Sequence, residues 1–145
     1  MIICEVTSEE CEEILKIEKA CFSDPWSISD FEYQIKNPYS KLIGAFANGR
    51  AVGFVNTVCI VDEIEINNIA VLEEYRGKHI ADRLLEFAFS LHPKAVKAYL
   101  EVRESNLPAQ KLYQKHGFVK YSERKNYYQN PTENAWLMVK QMGLK

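Results

Sequence analysis

A chain of 145 residues, 47% of them hydrophobic and 26% charged, has the size and composition of one globular domain burying roughly 70% of its unfolded surface. Eighteen basic residues against twenty acidic ones leave a net charge of −2, which argues against general affinity for nucleic acid or anionic lipid, so no direct nucleic-acid binding is expected. No apolar run approaches the ~20 residues that span a bilayer, and Met1 to Val6 lacks a secretory pattern, so a cytoplasmic protein without membrane association is expected.

The first predicted element is a strand at Ile2 to Val6. Thr7-Ser8-Glu9-Glu10 reads as a capping box, and Cys11, Ile14, Leu15 and Phe22 then recur at helical spacing. Pro25 interrupts that helix. Ser27 can cap a second, short one with Ile28, Phe31 and Ile35 as its apolar stripe, ended by Asn37-Pro38. Leu42 to Ala47 and Val52 to Ile60, joined by Asn48-Gly49-Arg50, read as an antiparallel hairpin. Ile64 to Leu72 is another strand. Its alternation fails at Asn67-Asn68, where a bulge would relieve the conflict.

A third helix is predicted from about Gly77 to Leu91, with Ile80, Leu84, Phe87, Ala88 and Leu91 on one face. In the next strand Val96, Ala98, Leu100 and Val102 share one side, and Lys97, Tyr99, Glu101 and Arg103 share the other. Ser105-Asn106 caps a fourth helix that carries Pro108 in its first turn and Gly117 beyond its end. Phe118 to Glu123 and Ala135 to Gln141 close the chain as strands, with Lys125 to Asn134 as the loop between them. Cys4, Cys11, Cys21 and Cys59 form no CxxC pair and stand at no zinc-ligand spacing from His79, His92 and His116. Four buried, reduced thiols and no metal are expected.

The chemistry-bearing stretch is the strand, basic turn and helix start around Arg76 to Ala81. A helix N-terminus leaves N–H groups unpaired and carries partial positive charge, so it can hold phosphate, and Arg76, Lys78 and Arg83 add charge around it. The turn is neither a GxxxxGK[ST] loop nor a GxGxxG fingerprint. Alone it does not choose among nucleotides, sugar phosphates and CoA.

Five segments together do choose: Asn68-Ile69-Ala70-Val71 with Tyr75-Arg76; Leu100 to Asn106; Ala109 to Phe118; Phe22-Ser23-Asp24-Pro25-Trp26-Ser27; and Arg124-Lys125-Asn126-Tyr127-Tyr128. They resemble the GNAT family of acetyl-CoA-dependent N-acetyltransferases, and most closely its RimI-type protein N-terminal acetyltransferases. The resemblance implies an α/β (α+β) fold, a single GNAT-type domain over residues 1–145 with a mixed central sheet of about seven strands flanked by about four helices. It implies that Ile69, Ala70 and Val71 pair with the pantetheine arm, and that Arg76, Gly77, Lys78, His79, Ile80 and Ala81 bind the pyrophosphate. By the same resemblance Asn106 contacts the cofactor, Glu101 is general base, Tyr113 is general acid, and Trp26, Tyr127 and Tyr128 line the acceptor groove. The implied donor is acetyl-CoA, without a metal. The implied partner is a protein N-terminus, that of a ribosomal protein beginning with alanine. There is one departure: His79 stands where the family has the first glycine of its Q/R-x-x-G-x-G/A turn, where a side chain would crowd the backbone although a helix-compatible φ would leave its N–H available.

The proposed roles agree with the chemistry. An α-amino group with a pKa of about 8 must lose a proton before attack, and a phenol with a pKa near 10 can protonate a departing thiolate. Two other readings stay open at this point. One is a GNAT enzyme acting on a small-molecule amine or a lysine side chain; the other is a non-catalytic acyl-CoA-binding domain.

Overall fold

The computed structural model describes residues 1–143. Strand β1 (Ile2–Glu5) leads into a 3-10 turn (Ser8–Glu10), where the Glu10 carboxylate accepts from the Thr7 N–H at 2.9 Å, and then into α1 (Cys11–Cys21). Phe22 is extended and stands just beyond this helix, not within its stripe. In α2 (Ile28–Lys36) the Ser27 hydroxyl accepts from the Asp30 N–H at 3.2 Å, while Asp30 Oδ2 accepts from the Ser27 N–H at 2.8 Å. This reciprocal pair satisfies helix donors that would otherwise be orphaned.

The remaining elements are β2 (Ser40–Ala47), β3 (Arg50–Ile60), β4 (Glu63–Val71), α3 (Ile80–Ser90), β5 (Lys97–Arg103), α4 (Leu107–Lys115), β6 (Val119–Tyr128) and β7 (Glu133–Gln141). They form a mixed seven-stranded sheet in the order β1-β2-β3-β4-β5-β7-β6. Every pairing is antiparallel except β4 with β5, where Glu63 to Ile66 lie beside Lys97 to Leu100. That parallel pairing ends there. Beyond it the two strands part.

The bulge expected in β4 is present. Asn56 pairs with Asn68 and Thr57 with Ile66, so Asn67 is the extra residue. Because strand side chains alternate, one extra residue exchanges the two faces of everything that follows. Ile64 and Ile66 therefore pack with Leu84, Leu85 and Leu100 on the α3 side, whereas Ala70 belongs to the opposite cluster with Ile14, Phe31 and Phe54. A fully buried leucine such as Leu84 contributes about 1.5–3 kcal/mol through the water it leaves.

Three further expectations are corrected by the structure. Helix α3 starts at Ile80 and not at Gly77, because Gly77 (φ +78°) and His79 (φ +63°) are both left-handed and a right-handed helix cannot include them. Asn126, Tyr127 and Tyr128 lie in β6 and not in a loop. There Asn126 takes φ +54° at an irregularity and donates its N–H to Asn134 Oδ1 at 3.0 Å, which lets the strand resume pairing at Tyr128 and Glu133. Of the four thiols only Cys11 is buried; Cys4, Cys21 and Cys59 are partly exposed.

Candidate active site

Where β4 and β5 part, residues 69–71 of β4 have strand partners only on the β3 side. The Leu72 N–H donates to the Val52 carbonyl at 2.9 Å, and antiparallel alternation then directs Ala70 toward β3 and the main-chain groups of Ile69 and Val71 toward the gap. The Val71 carbonyl is already held there. Arg76 Nε donates to it at 2.9 Å, and Cys21 Sγ lies 3.7 Å away. What remains open to a partner is the Ile69 N–H and carbonyl, together with the Val71 N–H.

The turn after β4 presents a second row of donors. Among the described residues no backbone carbonyl pairs with the N–H groups of Gly77, Lys78 or His79, and those of Ile80, Ala81 and Asp82 are in the first turn of α3, where a helix has no internal acceptors. Left-handed His79 followed by right-handed Ile80 curls these N–H groups into a concave nest suited to an anion. The His79 side chain turns out of it: its ring is 77% exposed, with Nδ1 3.2 Å from Asp82 Oδ2. Lys78 Nζ sits over the Tyr75 ring at 5.4 Å.

Asp82 is the hub beneath this nest. Its Oδ1 is 2.7 Å from both Lys115 Nζ and His116 Nε2, which ties the start of α3 to the end of α4. Burial alone would raise this carboxyl, but the hydrogen bonds from Lys115, His116 and His79 outweigh it and bring it down to about 2. A lowered carboxyl stabilises the fold above its unfolded pKa of 3.8, and that contribution is lost as pH falls toward about 2. Unscreened, the interval corresponds to about 2 kcal/mol; with His79 and Lys115 mostly in solvent, screening leaves about 1 kcal/mol. Asp82→Asn is expected to lower the unfolding free energy at neutral pH by about that amount and to flatten its acid limb, as measured by urea titrations at a series of pH values.

A groove of about 540 Å³ runs along this surface, bordered by Ile69 to Val71, Arg76, Gly77, His79 to Asp82, Asn106 and Tyr113. Asn106 caps α4: its Oδ1 accepts from the Ala109 N–H at 3.2 Å. Tyr113 is 6% exposed, with its ring edge-on to Phe118 at 5.8 Å. Its hydroxyl has no protein partner among the described residues, and burial holds its pKa well above the usual phenol range. It is a protonated phenol facing the groove.

Glu101 lies on the opposite face of the sheet, where β5 alternation puts it with Tyr99 and Arg103. It borders a second groove of about 710 Å³, together with Glu65, Tyr99, Tyr121 and Arg124. The Tyr127 hydroxyl donates to Glu101 Oε1 at 3.3 Å, and Arg124 stacks over the Tyr127 ring at 5.1 Å. Burial and the neighbouring Glu101 charge raise the Glu65 carboxyl. Burial and the same charge also raise Tyr128, whose ring packs edge-on against Tyr127 at 5.0 Å.

The structure therefore gathers Tyr127 and Tyr128 around Glu101 and places Tyr113 across the gap, in the other groove. Trp26 borders neither groove; its ring packs on Phe31 at 5.3 Å. Sequence reasoning passed over Arg103. It donates to the carbonyls of Gln129 (2.6 Å) and Pro131 (3.0 Å) and to Glu133 Oε1 (3.0 Å), reaches Ser23 Oγ at 3.5 Å, and stacks on Tyr128 at 4.6 Å. Its parity with Glu101 along β5 was the available signal.

Residues 11–118 match the acetyltransferase (GNAT) family. A ribosomal protein bS18-alanine N-acetyltransferase of Haemophilus influenzae is 35% identical over 143 residues, covering 95% of this chain and 97% of that protein. An N-alpha-acetyltransferase of Saccharolobus solfataricus is 31% identical over 147 residues, covering 91% and 87%. Among solved structures, the ribosomal-protein-S18-alanine N-acetyltransferase of Escherichia coli superposes with a TM-score of 0.91 at 27% identity, over 99% of this chain and 95% of that one. The fold is also that of Arabidopsis thaliana Naa50 in complex with a bisubstrate analogue, with a TM-score of 0.83 at 22% identity over 97% and 98%.

Proposed function

This chain belongs to the acetyltransferase (GNAT) family and is an N-acetyltransferase, and from that premise we propose that it acetylates the N-terminal alanine of a ribosomal protein, with acetyl-CoA as donor. The observation that carries the reading is the gap between β4 and β5, with a carboxylate at its edge on one face and a protonated phenol on the other. The acceptor follows the names of relatives that align over nearly their whole length.

The residues present fit a thioester carried on a diphosphate. The nest at residues 77–82 supplies an unpaired row of N–H donors, and the exposed main chain of Ile69 and Val71 supplies an edge with which an extended amide chain can pair. Bound acetyl-CoA supplies an activated acetyl group. In this reading Glu101 accepts the proton of the incoming α-ammonium, directly or through water, so that the neutral amine attacks. Tyr113 gives a proton to the departing sulfur, and the second proton that the attached nitrogen loses on becoming an amide restores the phenol. An N–H of β4 at the gap hydrogen-bonds the thioester oxygen as charge builds there. Asn106 borders the donor groove, and Tyr127 and Tyr128 form the acceptor side around Glu101.

His79 bears on donor binding. A left-handed backbone costs most side chains roughly 1–2 kcal/mol and glycine almost nothing, which is the physical reason a glycine suits this position. His79→Gly relieves that strain but gives the unfolded chain more freedom, so stability is expected to stay within about 0.5 kcal/mol. Without a Cβ at the nest, CoA is expected to bind a few-fold more tightly in isothermal titration.

The function is tested with short peptides that begin with alanine and carry a free or a blocked N-terminus, with a polyamine as competitor. Acetylation only of the free N-terminus, undiminished by the polyamine, supports the reading; equal labelling of both peptides overturns it. Mass spectrometry of ribosomal proteins incubated with the enzyme and acetyl-CoA then identifies the acceptor.

A further inference from the structure

Among the described residues one carboxylate is fully buried, and the chemistry above leaves it unused. Glu18 stands on α1 and is 2% exposed, as buried as Ile14 and Ile17 of the same helix. A carboxylate in such a place is costly unless its oxygens are hydrogen-bonded, and here the donors come from two separate elements. The Trp26 N–H donates to Oε2 at 2.8 Å. Asn68 Nδ2 lies 3.0 Å from Oε1 and 3.2 Å from Oε2.

Trp26 belongs to the segment between α1 and α2, whose other end reaches Arg103 through Ser23. Asn68 flanks the bulge of β4, immediately before the main chain that faces the gap. The other bulge amide is anchored independently: Asn67 Nδ2 donates to Asn56 Oδ1 at 2.9 Å, and Asn56 is itself fully buried and bonded to Ser40. A main-chain N–H and a side-chain amide N–H both point at Glu18. A carboxylate accepts with both oxygens, whereas a glutamine would turn a donor toward one of the two.

We propose that Glu18 is a positioning residue: its one carboxylate fastens the segment 22–27, which meets the acceptor side where Ser23 reaches the Arg103 that stacks on Tyr128, to the β4 bulge, and so sets the acceptor side of the site against the thioester side. What those two sides hold rests on the reading given under Proposed function; the fastening does not.

The test uses the full-length protein carrying Trp136→Phe, which leaves Trp26 as its sole tryptophan. The Trp136 indole N–H is buried without a partner, so its removal strands no acceptor. Glu18→Gln, Asn68→Ala and the double variant are compared with this parent. Without any substrate, iodide quenching of Trp26 is expected to rise in Glu18→Gln. In steady state the peptide KM is expected to rise on the order of tenfold while the acetyl-CoA KM changes less than twofold. Asn68→Ala is expected to weaken peptide binding in the same sense, and the double variant to be no worse than Glu18→Gln.

Unchanged quenching, additive effects in the double variant, or an equal rise in both KM values with a falling Tm would each overturn the proposal. Should Glu18→Gln fail to fold, the same quenching and KM readings on Asn68→Ala decide it. If no peptide is acetylated by any variant, the functional reading fails while the quenching still reads the link.

Discussion

Replacing Glu101 by glutamine is expected to lower the turnover of an alanine-initiated peptide by about 10²–10⁴-fold at neutral pH, with the fold intact. Glutamine has the same shape and can still accept from the Tyr127 hydroxyl, so the packing on that face is kept. Basicity is what it lacks. The deficit should shrink as pH rises past about 8, where the α-amine loses its proton to solvent. A deficit that stayed constant from pH 6 to pH 9.5 would remove Glu101 from the role of base. Glu65 shares the groove and is raised by the Glu101 charge. In the variant that charge is gone, while burial, the larger cause, still raises the Glu65 carboxyl.

Tyr113→Phe is the second large effect. The ring keeps its edge-on contact with Phe118 and its place in the core, and the hydroxyl that is lost has no protein partner among the described residues. Tm should therefore move by no more than a degree or two, the equivalent of about 0.5 kcal/mol. Turnover should fall by about 10–10³-fold with little change in either KM, the pattern of an interaction made only in the transition state. A matching loss of stability would mean that the tyrosine serves packing alone. A thiol ester whose leaving sulfur has a lower pKa depends less on the acid and should recover part of the rate in Tyr113→Phe.

Glu101 was legible because β5 alternates without interruption, and an uninterrupted period of two assigns each side chain a face. The bulge was legible for the opposite reason, since two adjacent amides cannot both suit a half-buried strand. What escaped the sequence was set by groups distant along the chain. His79 is left-handed, and the basic residues of the turn do not predict this; the glycine that the family carries at this position was the available signal. The second half of β6 reads as exposed polar sequence, and only its pairing with β7 makes it a strand. Glu18 follows Lys16 and Ile17 and precedes Lys19, so it resembles a charge on a solvated face. Its partners lie 8 and 50 residues away. Trp26 illustrates the converse, a residue placed by family likeness whose ring is engaged with Phe31 and not with either groove.

The extra residue in β4 has a consequence for how this sequence can vary. Side chains at Asn67 and Asn68 can be exchanged one at a time, each at the cost of its own hydrogen bonds. The number of residues between Ile66 and Ile69 is a different kind of constraint. Shortening that interval by one would carry Ala70 to the α3 side and Ile69 and Val71 to the α1 side, and would reverse which main-chain groups look into the gap. No substitution elsewhere restores that parity. The strand's function is thus written in a count as well as in a composition, and along β4 length is the property with the least room for drift.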